Sequence, residues 1–348
     1  MSDVRVRLFS ADNADDLLAW DNFVQAHDPD LGYANMVWMR IFQQAFGHTP
    51  YPLAALRDGK ICGILPLTLI QSRLFGKLLV SMPFVNYGGI LAKNAEIAHT
   101  LAAEAATLRQ RLEAKSVELR YTQPSGSGLP AKKAKVSMML HLPGTPDTLW
   151  AGFKDKVRNQ VRKARKNGLV CDTGKTGLLD DFYSVFCVNM RDLGTPVYAK
   201  SFFATVLDAL PDSTRVVRVR LNGKCIAAGI IYTYGTTMQM PWASSLLAHR
   251  DLCPNHALYW QALETACLEG YTCFDFGRST PESGPWRFKK QWGTHEVPLH
   301  WEYILPQGES MPELNVRNPK YKLAISAWKK LPLPVANTLG PWIARCIP

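Results

Sequence analysis

The sequence predicts an α/β (α+β) protein made of two similar domains in tandem, and three observations carry that reading: its length, an internal duplication, and a turn-rich break between the copies. The chain has 348 residues and is 47% apolar. That suffices for two globular domains of ordinary size, whereas one undivided core of this length would be unusual. Residues 56–64 read LRDGKICGI and residues 220–230 read RLNGKCIAAGI. Each is a strand, an Asp-Gly or Asn-Gly turn, and a second strand that continues apolar. A helix-type segment follows each hairpin after some thirty residues, from about Ala95 to Lys115 and from about Asn255 to Glu269. A short strand then follows each helix, VELRYTQ at 117–123 and YTCFDFG at 271–277. Two copies of a hairpin, helix, strand unit thus lie about 160 residues apart.

The break is PSGSGLPAKKAK at 124–135, followed by the strand VSMMLHL and the turn PGTPD, which places a boundary near residue 145. The expected domains are 1–145 and 146–310. Residues 311–348 form a basic, apolar, proline-punctuated tail that belongs to neither sheet.

Composition excludes several classes. The longest nearly uninterrupted apolar run, Ile61 to Ile70, holds about ten residues and contains Pro66, against the roughly twenty needed to span a bilayer. The start, MSDVRVRLFSADNADD, is interrupted by charge from its third position and lacks the apolar stretch of a secretory signal, so a cytoplasmic location is expected. Eight cysteines are scattered without a CxxC pair, and HExxH is absent. They read as reduced thiols, and no metal site is expected.

The net charge of +11 is local. Lys154 to Lys166 holds seven bases and one acid, and Met311 to Pro348 holds six bases and one acid, while the remainder balances at 27 of each. From Trp150 to Lys166, Trp150, Phe153, Val157, Val161 and Ala164 recur at helical steps within roughly 80° of arc, a stripe that faces a core. Lys154, Arg158, Arg162, Arg165 and Lys166 fill the adjoining arc with almost no acidic partner. Like charges one turn apart cost ~0.2 to 0.5 kcal/mol per pair. The row reads either as a solvated cationic face or as a contact for nucleotide, tRNA or phospholipid phosphate.

The most specific stretch is FDFGRSTPESGPWRFKKQWG at 274–293. It sets Asp275 on a strand, Arg278 at the strand end, then a turn and a short helix-like FKKQWG. With Phe288, Lys289, Trp292 and Gly293 in place, the stretch resembles the end of the second domain in the Fem family of peptidoglycan bridge-forming enzymes. Five blocks are similar to Fem-related proteins of PEP-CTERM and exopolysaccharide systems: LVSMPFVNYGG (79–89), KVRNQVRKARKNGL (156–169), RDLGTPVY (191–198), the FDFGRST block, and NPKYKLAISAWKKLPLP (318–334). They span nearly the whole length.

The resemblance implies two tandem GNAT-like (acyl-CoA N-acyltransferase-like) domains with a cleft between them. It implies acyl or aminoacyl transfer to an amine of a cell-envelope or polysaccharide precursor, with no resident cofactor. The donor would be aminoacyl-tRNA or acyl-CoA, and no DNA partner is expected. Lys289 inherits the role of stabilising charge on the reacting acyl group. Amine attack on an ester or thioester makes an oxyanion, and a fixed cation in a dry site contributes ~2.7 to 4 kcal/mol to that step. The alternative is an ordinary surface lysine.

Arg278 and Asp275 either orient substrate or form a structural ion pair. Arg191 and Asp192 close a helix expected from about Leu178 to Asp192, before a Gly-Thr-Pro loop, and Asp192 is a candidate general base. Trp242 and Tyr259 are candidates for the acceptor site, although such aromatics also suit a core. Asn86 and Tyr87 precede Gly88 and Gly89 at a strand end, where a plain turn is the alternative to a substrate contact.

Two signals fail. GKTG at 174–177 lacks the first glycine of a phosphate loop, since that position is Leu169. Acetyl-CoA-dependent GNAT enzymes carry a glycine-bearing loop before the helix that receives pyrophosphate, and HRDLCPNHALYW at 249–260 has no glycine. Ordinary CoA binding is therefore disfavoured. In the tail, Lys320, Lys322, Lys329, Lys330 and Arg345 mix with Leu323, Trp328 and Trp342. That mixture suits either peripheral contact of 320–348 with the inner membrane face or packing on the first domain. A third, non-catalytic reading is an RNA-binding or membrane-surface assembly protein on the same scaffold.

Overall fold

The computed structural model describes residues 3–72, 76–311 and 319–348. Residues 312–318 of the expected tail, and the side chains of Lys320 and Lys322, lie outside the described residues.

The chain begins with β1 (Arg5–Leu8), α1 (Ala14–His27), α2 (Met36–Phe46), β2 (Thr49–Arg57), β3 (Lys60–Ser72), β4 (Gly76–Ser81) and β5 (Leu91–Ala92). It continues through α3 (Ala95–Arg111), β6 (Val117–Tyr121), β7 (Ala131–Lys132), β8 (Val136–His141), α4 (Pro146–Gly152), α5 (Asp155–Lys166) and β9 (Val170–Gly174). Then come α6 (Leu179–Leu193), α7 (Lys200–Ala209), β10 (Thr214–Leu221), β11 (Lys224–Tyr234), β12 (Thr237–Ser245) and α8 (Pro254–Leu268). The order ends with β13 (Cys273–Ser279), α9 (Gly284–Lys290), β14 (His295–Pro298), β15 (His300–Ile304), α10 (Pro319–Trp328) and α11 (Leu333–Ala344).

Among the described residues these build two sheets, one per unit. The first runs β1-β2-β3-β4-β6-β15-β7, with β5 on β3, and the second runs β14-β8-β13-β12-β11-β10-β9. The duplication is real at the level of geometry. Asp58 and Gly59 have φ 52° and 73°, and Asn222 and Gly223 have φ 50° and 81°. Two consecutive positive φ values define the type I′ turn that matches strand twist. In each sheet the strand after the long helix pairs in parallel with an earlier one, Leu79 opposite Val117 in the first and Gln239 opposite Asp275 in the second.

Each core follows from its helices. Asn94 caps α3 by accepting from the Ile97 amide at 3.0 Å, a contact worth ~1 kcal/mol. One face of α3, Ile97, Leu101, Ala105 and Leu108, packs against Leu53, Leu65 and Leu67 of the sheet. In the second unit α8 buries residues all round, from Ala257 to Cys267, as befits a helix apolar on every side.

Three expectations are corrected. The units are Met1–Val136 with Val297–Glu313 and Cys346–Pro348, and Ser137–Glu296 with Leu314–Arg345, so the boundary falls before residue 145 and the first unit recruits a late segment. The reason is that β8 pairs with β13, while β15 pairs with β6 and β7. The helix expected over 150–166 is two helices, because Phe153 and Lys154 are extended, with ψ 146° and 148°. The described tail residues 319–345 group with the second unit rather than the first, with α11 against α6.

Candidate active site

The side chain of Lys289 is buried at 8% exposure and sits on α9. This short helix starts at Ser283, whose hydroxyl accepts from the Trp286 amide at 3.3 Å, with Pro285 pre-set in the first turn. Its ammonium donates to the carbonyl of Gly277 at 3.0 Å and to that of Arg278 at 3.1 Å, where β13 ends. Gly277 has φ 77°, a left-handed conformation that turns its carbonyl as the strand closes.

The surroundings are aromatic. Phe288 lies 5.3 Å from the Tyr259 ring, and Tyr259 stacks on Phe276 at 5.1 Å. Trp292 packs edge-on against Phe153 at 5.2 Å. Burial pushes the Lys289 ammonium down to about 8; the charge of Asp275 opposes that fall and the charge of Arg278 adds to it. Lys289 is thus no ordinary surface lysine. His256, at the first turn of α8, lies 5.2 Å from Phe288 and is driven down to about 4 by burial, so it is neutral at physiological pH.

Asp275 is fully buried. It accepts from Ser137 Oγ and from its own chain's Gly277 amide, each at 2.7 Å, and from the amide of Gln239. Its carboxylate supports the strand end that carries Lys289's two acceptors, while Arg278 is exposed. Direct substrate contact by Asp275 is therefore corrected to support from within the core. Trp242 packs edge-on against Phe202 and Phe203 at 5.5 and 5.4 Å, and Tyr259 is likewise interior, so both are core aromatics.

Arg191 pairs with Asp192 at 2.6 Å and donates to the Leu331 carbonyl at 3.3 Å. This gives the pair a structural task, holding the tail at the end of α6. Gly194 caps α6 with φ 79°, and a Cβ there would meet Ile325 Cγ2 at 2.6 Å.

The first unit holds a cleft of about 700 Å³ lined by Tyr87, Gly89, Asn94, His99, Tyr121 and Gln123, among others. Asn86 and Tyr87 are both buried, and Tyr87 meets Tyr33 edge-on at 5.6 Å. The following glycines are required by close approach. At Gly88 (φ 146°) a Cβ would strike Met82 at 2.4 Å, and at Gly89 it would strike the Tyr121 ring at 2.2 Å.

Sequence reasoning missed what holds this loop. Arg120, fully buried, donates to the carbonyls of Val85 at 2.8 Å and Met82 at 3.3 Å, pairs with Glu118 at 2.7 Å, and lies 4.3 Å over the Trp301 ring. Glu302 accepts from the Ser125 amide at 2.9 Å and Ser127 Oγ at 2.7 Å, fixing the other wall. Glu118 and Arg120 alternate like a solvent face, but Trp301 and Tyr303 of β15 and the carbonyls of Met82 and Val85 engage them.

Lys154, Arg162, Lys163, Arg165 and Lys166 are exposed at the start of α5 and along it. The row is less bare of acids than the sequence suggested, since Arg158 pairs with Asp155 and Arg165 lies 3.8 Å from Glu264. Arg162 lies 5.6 Å over the Trp150 ring. Among the described residues no cluster of three or more His, Cys, Asp or Glu could hold a metal ion, and no helix is long and apolar enough to cross a membrane.

Residues 151–290 match the family model described as an acetyltransferase (GNAT) domain. Lipid II:glycine glycyltransferase of Staphylococcus epidermidis is 25% identical over 126 residues, 33% of this chain and 30% of the relative. The enzyme of the same name from Staphylococcus aureus is 28% identical over 116 residues, 30% of this chain and 28% of the relative. The chain spans about a third of the length of these curated relatives. The crystal structure of FemX superposes with a TM-score of 0.65 at 16% identity, covering 92% of this chain and all of that one. Residues 151–290 carry a GNAT domain, and the chain shares the fold of FemX. Its two-domain plan is also that of a tandem GNAT protein from the clavulanic acid biosynthesis pathway, with a TM-score of 0.53 at 13% identity over 89% of this chain. Two GNAT-like folds in tandem account for both units, and the matched domain contains α5, Asp275 and Lys289.

Proposed function

We propose that the protein is an acyl- or aminoacyltransferase that moves an activated acyl group onto an amine of a cell-envelope precursor. One observation carries the reading: the lysine at the Fem-like motif position is withdrawn from water, yet held as a cation by two carbonyls. In the reaction the acceptor amine forms a C–N bond to the acyl carbonyl, giving a tetrahedral oxyanion. Collapse breaks the bond to the donor oxygen or sulfur, which leaves with a proton, and the amine loses a proton to a base; the sequence candidate for that base, Asp192, is engaged by Arg191. The ammonium of Lys289 stabilises the oxyanion, and a dry aromatic setting strengthens that interaction.

Aminoacyl-tRNA is the favoured donor. The N-terminus of α8, where a GNAT fold would present amides to CoA pyrophosphate, opens with Pro254, which has no N–H, and has Cys253 in place of a glycine. The exposed cations at α5 suit a polyphosphate donor. The acceptor belongs to envelope or exopolysaccharide assembly of the PEP-CTERM type, at the cytoplasmic face of the membrane, with peripheral contact through 320–348.

The test is mass spectrometry of small molecules and RNA that copurify with the protein, followed by transfer assays with the donor class found. Recovery of aminoacyl-tRNA fragments, and an amide product that Lys289→Met does not make, is expected. Thermal protection by CoA would favour the acyl-CoA alternative. Bound RNA with no transfer from any donor would favour the non-catalytic reading.

A further inference from the structure

Helix α11 is turned inside out in the sizes of its residues. Ala336, Gly340 and Ala344 are its buried positions, and the fit is close, since a Cβ on Gly340 would meet Val197 backbone at 2.9 Å. The large apolar residues face outward: Val335, Leu339 and Trp342 are 41%, 47% and 64% exposed. At helical spacing these three fall within about 60° of arc, forming one ridge. Exposed Lys329 and Lys330 lie just before it, and the Arg345 guanidinium lies 4.5 Å from the Trp342 ring. From Leu314 to Pro348 the sequence holds six bases and no acid.

We propose that the α11 ridge docks on an anionic bilayer surface. Outward Val, Leu and Trp gain by entering the acyl boundary, and a tryptophan with a neighbouring cation suits the interfacial depth. The bases add attraction to anionic headgroups, and with no acid in the segment that attraction is unopposed. A protein partner would need a matching acidic groove, whereas a bilayer offers charge and apolar depth together over any area. The inference deepens the reading above by placing the enzyme where a lipid-linked acceptor lies; it depends on that reading for its purpose, and the binding stands by itself.

The experiment is flotation of the full chain with vesicles of phosphatidylcholine, with and without phosphatidylglycerol. Wild type is expected to float only with the anionic vesicles. The triple change Val335→Ser, Leu339→Ser, Trp342→Ser, at exposed positions that leave thermal melting in place, is expected to lower the partition coefficient by about tenfold or more. Lys329→Glu with Lys330→Glu is expected to weaken it by about tenfold or more. Failure of wild type to float with either vesicle, or flotation unchanged in the triple variant, overturns the proposal. A dimer that the triple change converts to monomer, without any loss of flotation, overturns it in favour of a second copy as the occupant. Transfer measured with a water-soluble acceptor separates the two readings: its absence beside intact flotation sinks the transferase alone, and lost flotation with intact transfer is a result about the ridge alone.

Discussion

The Lys289 ammonium lies 3.0 Å from the Gly277 carbonyl, two residues beyond the fully buried Asp275 that fixes the same strand end. One side chain therefore both ties α9 to β13 and keeps a cation in a dry setting. Replacing it with methionine keeps length and removes charge. Lys289→Met is expected to lower the rate of transfer by about a hundredfold or more. The melting temperature should stay near wild type, because losing two hydrogen bonds is offset by losing the cost of burying an ion. Steady-state transfer beside calorimetry checks it; equal loss of both would make the lysine structural only.

The depressed affinity of Lys289 for its proton has a signed consequence. Between its folded value of about 8 and its ordinary 10.5, an unfolded chain binds more protons than the folded one. Stability from this group therefore rises with pH across that window and is least below about 8, while the functional cation disappears over the same range. Transfer is expected to fall as pH passes about 8 while the melting temperature shows no matching drop. A flat rate up to pH 10 would count against a required ammonium.

His256 acts with the same sign in a more acid window. Its folded value of about 4 lies below the ordinary 6.5, so its contribution to stability is complete above 6.5 and is lost as pH falls toward 4. His256→Gln is expected to flatten the acid limb of melting temperature against pH. An unchanged slope would remove His256 from the acid response.

The close approach of Tyr121 to Gly89 makes a size test. Gly89→Ala is expected to cost about 1 to 3 kcal/mol and to distort the first-unit cleft, because a Cβ would overlap the ring. Adding Tyr121→Ala should recover part of that loss in a double-mutant cycle. Strict additivity would show that the ring is not the obstacle.

The cationic face of α5 predicts salt-dependent binding of RNA. Arg158→Glu with Arg162→Glu should weaken binding of transfer RNA by about tenfold or more and reduce the log–log salt slope by roughly one to two. Filter binding over a salt series would check this; an unaltered slope would leave those arginines solvated.

Much of this was legible in the chain. The Asp-Gly and Asn-Gly turns marked both hairpins, and the 3.6 period located α3, α6 and α8 to within a few residues, because local rules decide those features. The motif at 288–293 marked Lys289. What was hidden depends on distant partners: Gln239 and Ser137 satisfy Asp275 from other strands, and Trp301 covers Arg120 from far along the sequence. Arg165 looked unpaired because Glu264 lies on another helix, whereas the Asp155 partner of Arg158 is only three residues away in the same helix.

The strand His300–Ile304 sits between β6 and β7 in the first sheet, although the whole second sheet is encoded before it. During synthesis the ribosome must deliver residue 304 before β6 gains its second neighbour, so the first half emerges with an open edge that other nascent chains could join. The two halves repeat one pattern but are not separable modules: a gene cut at 124–135 would leave β15, which belongs to the first sheet, on the second product.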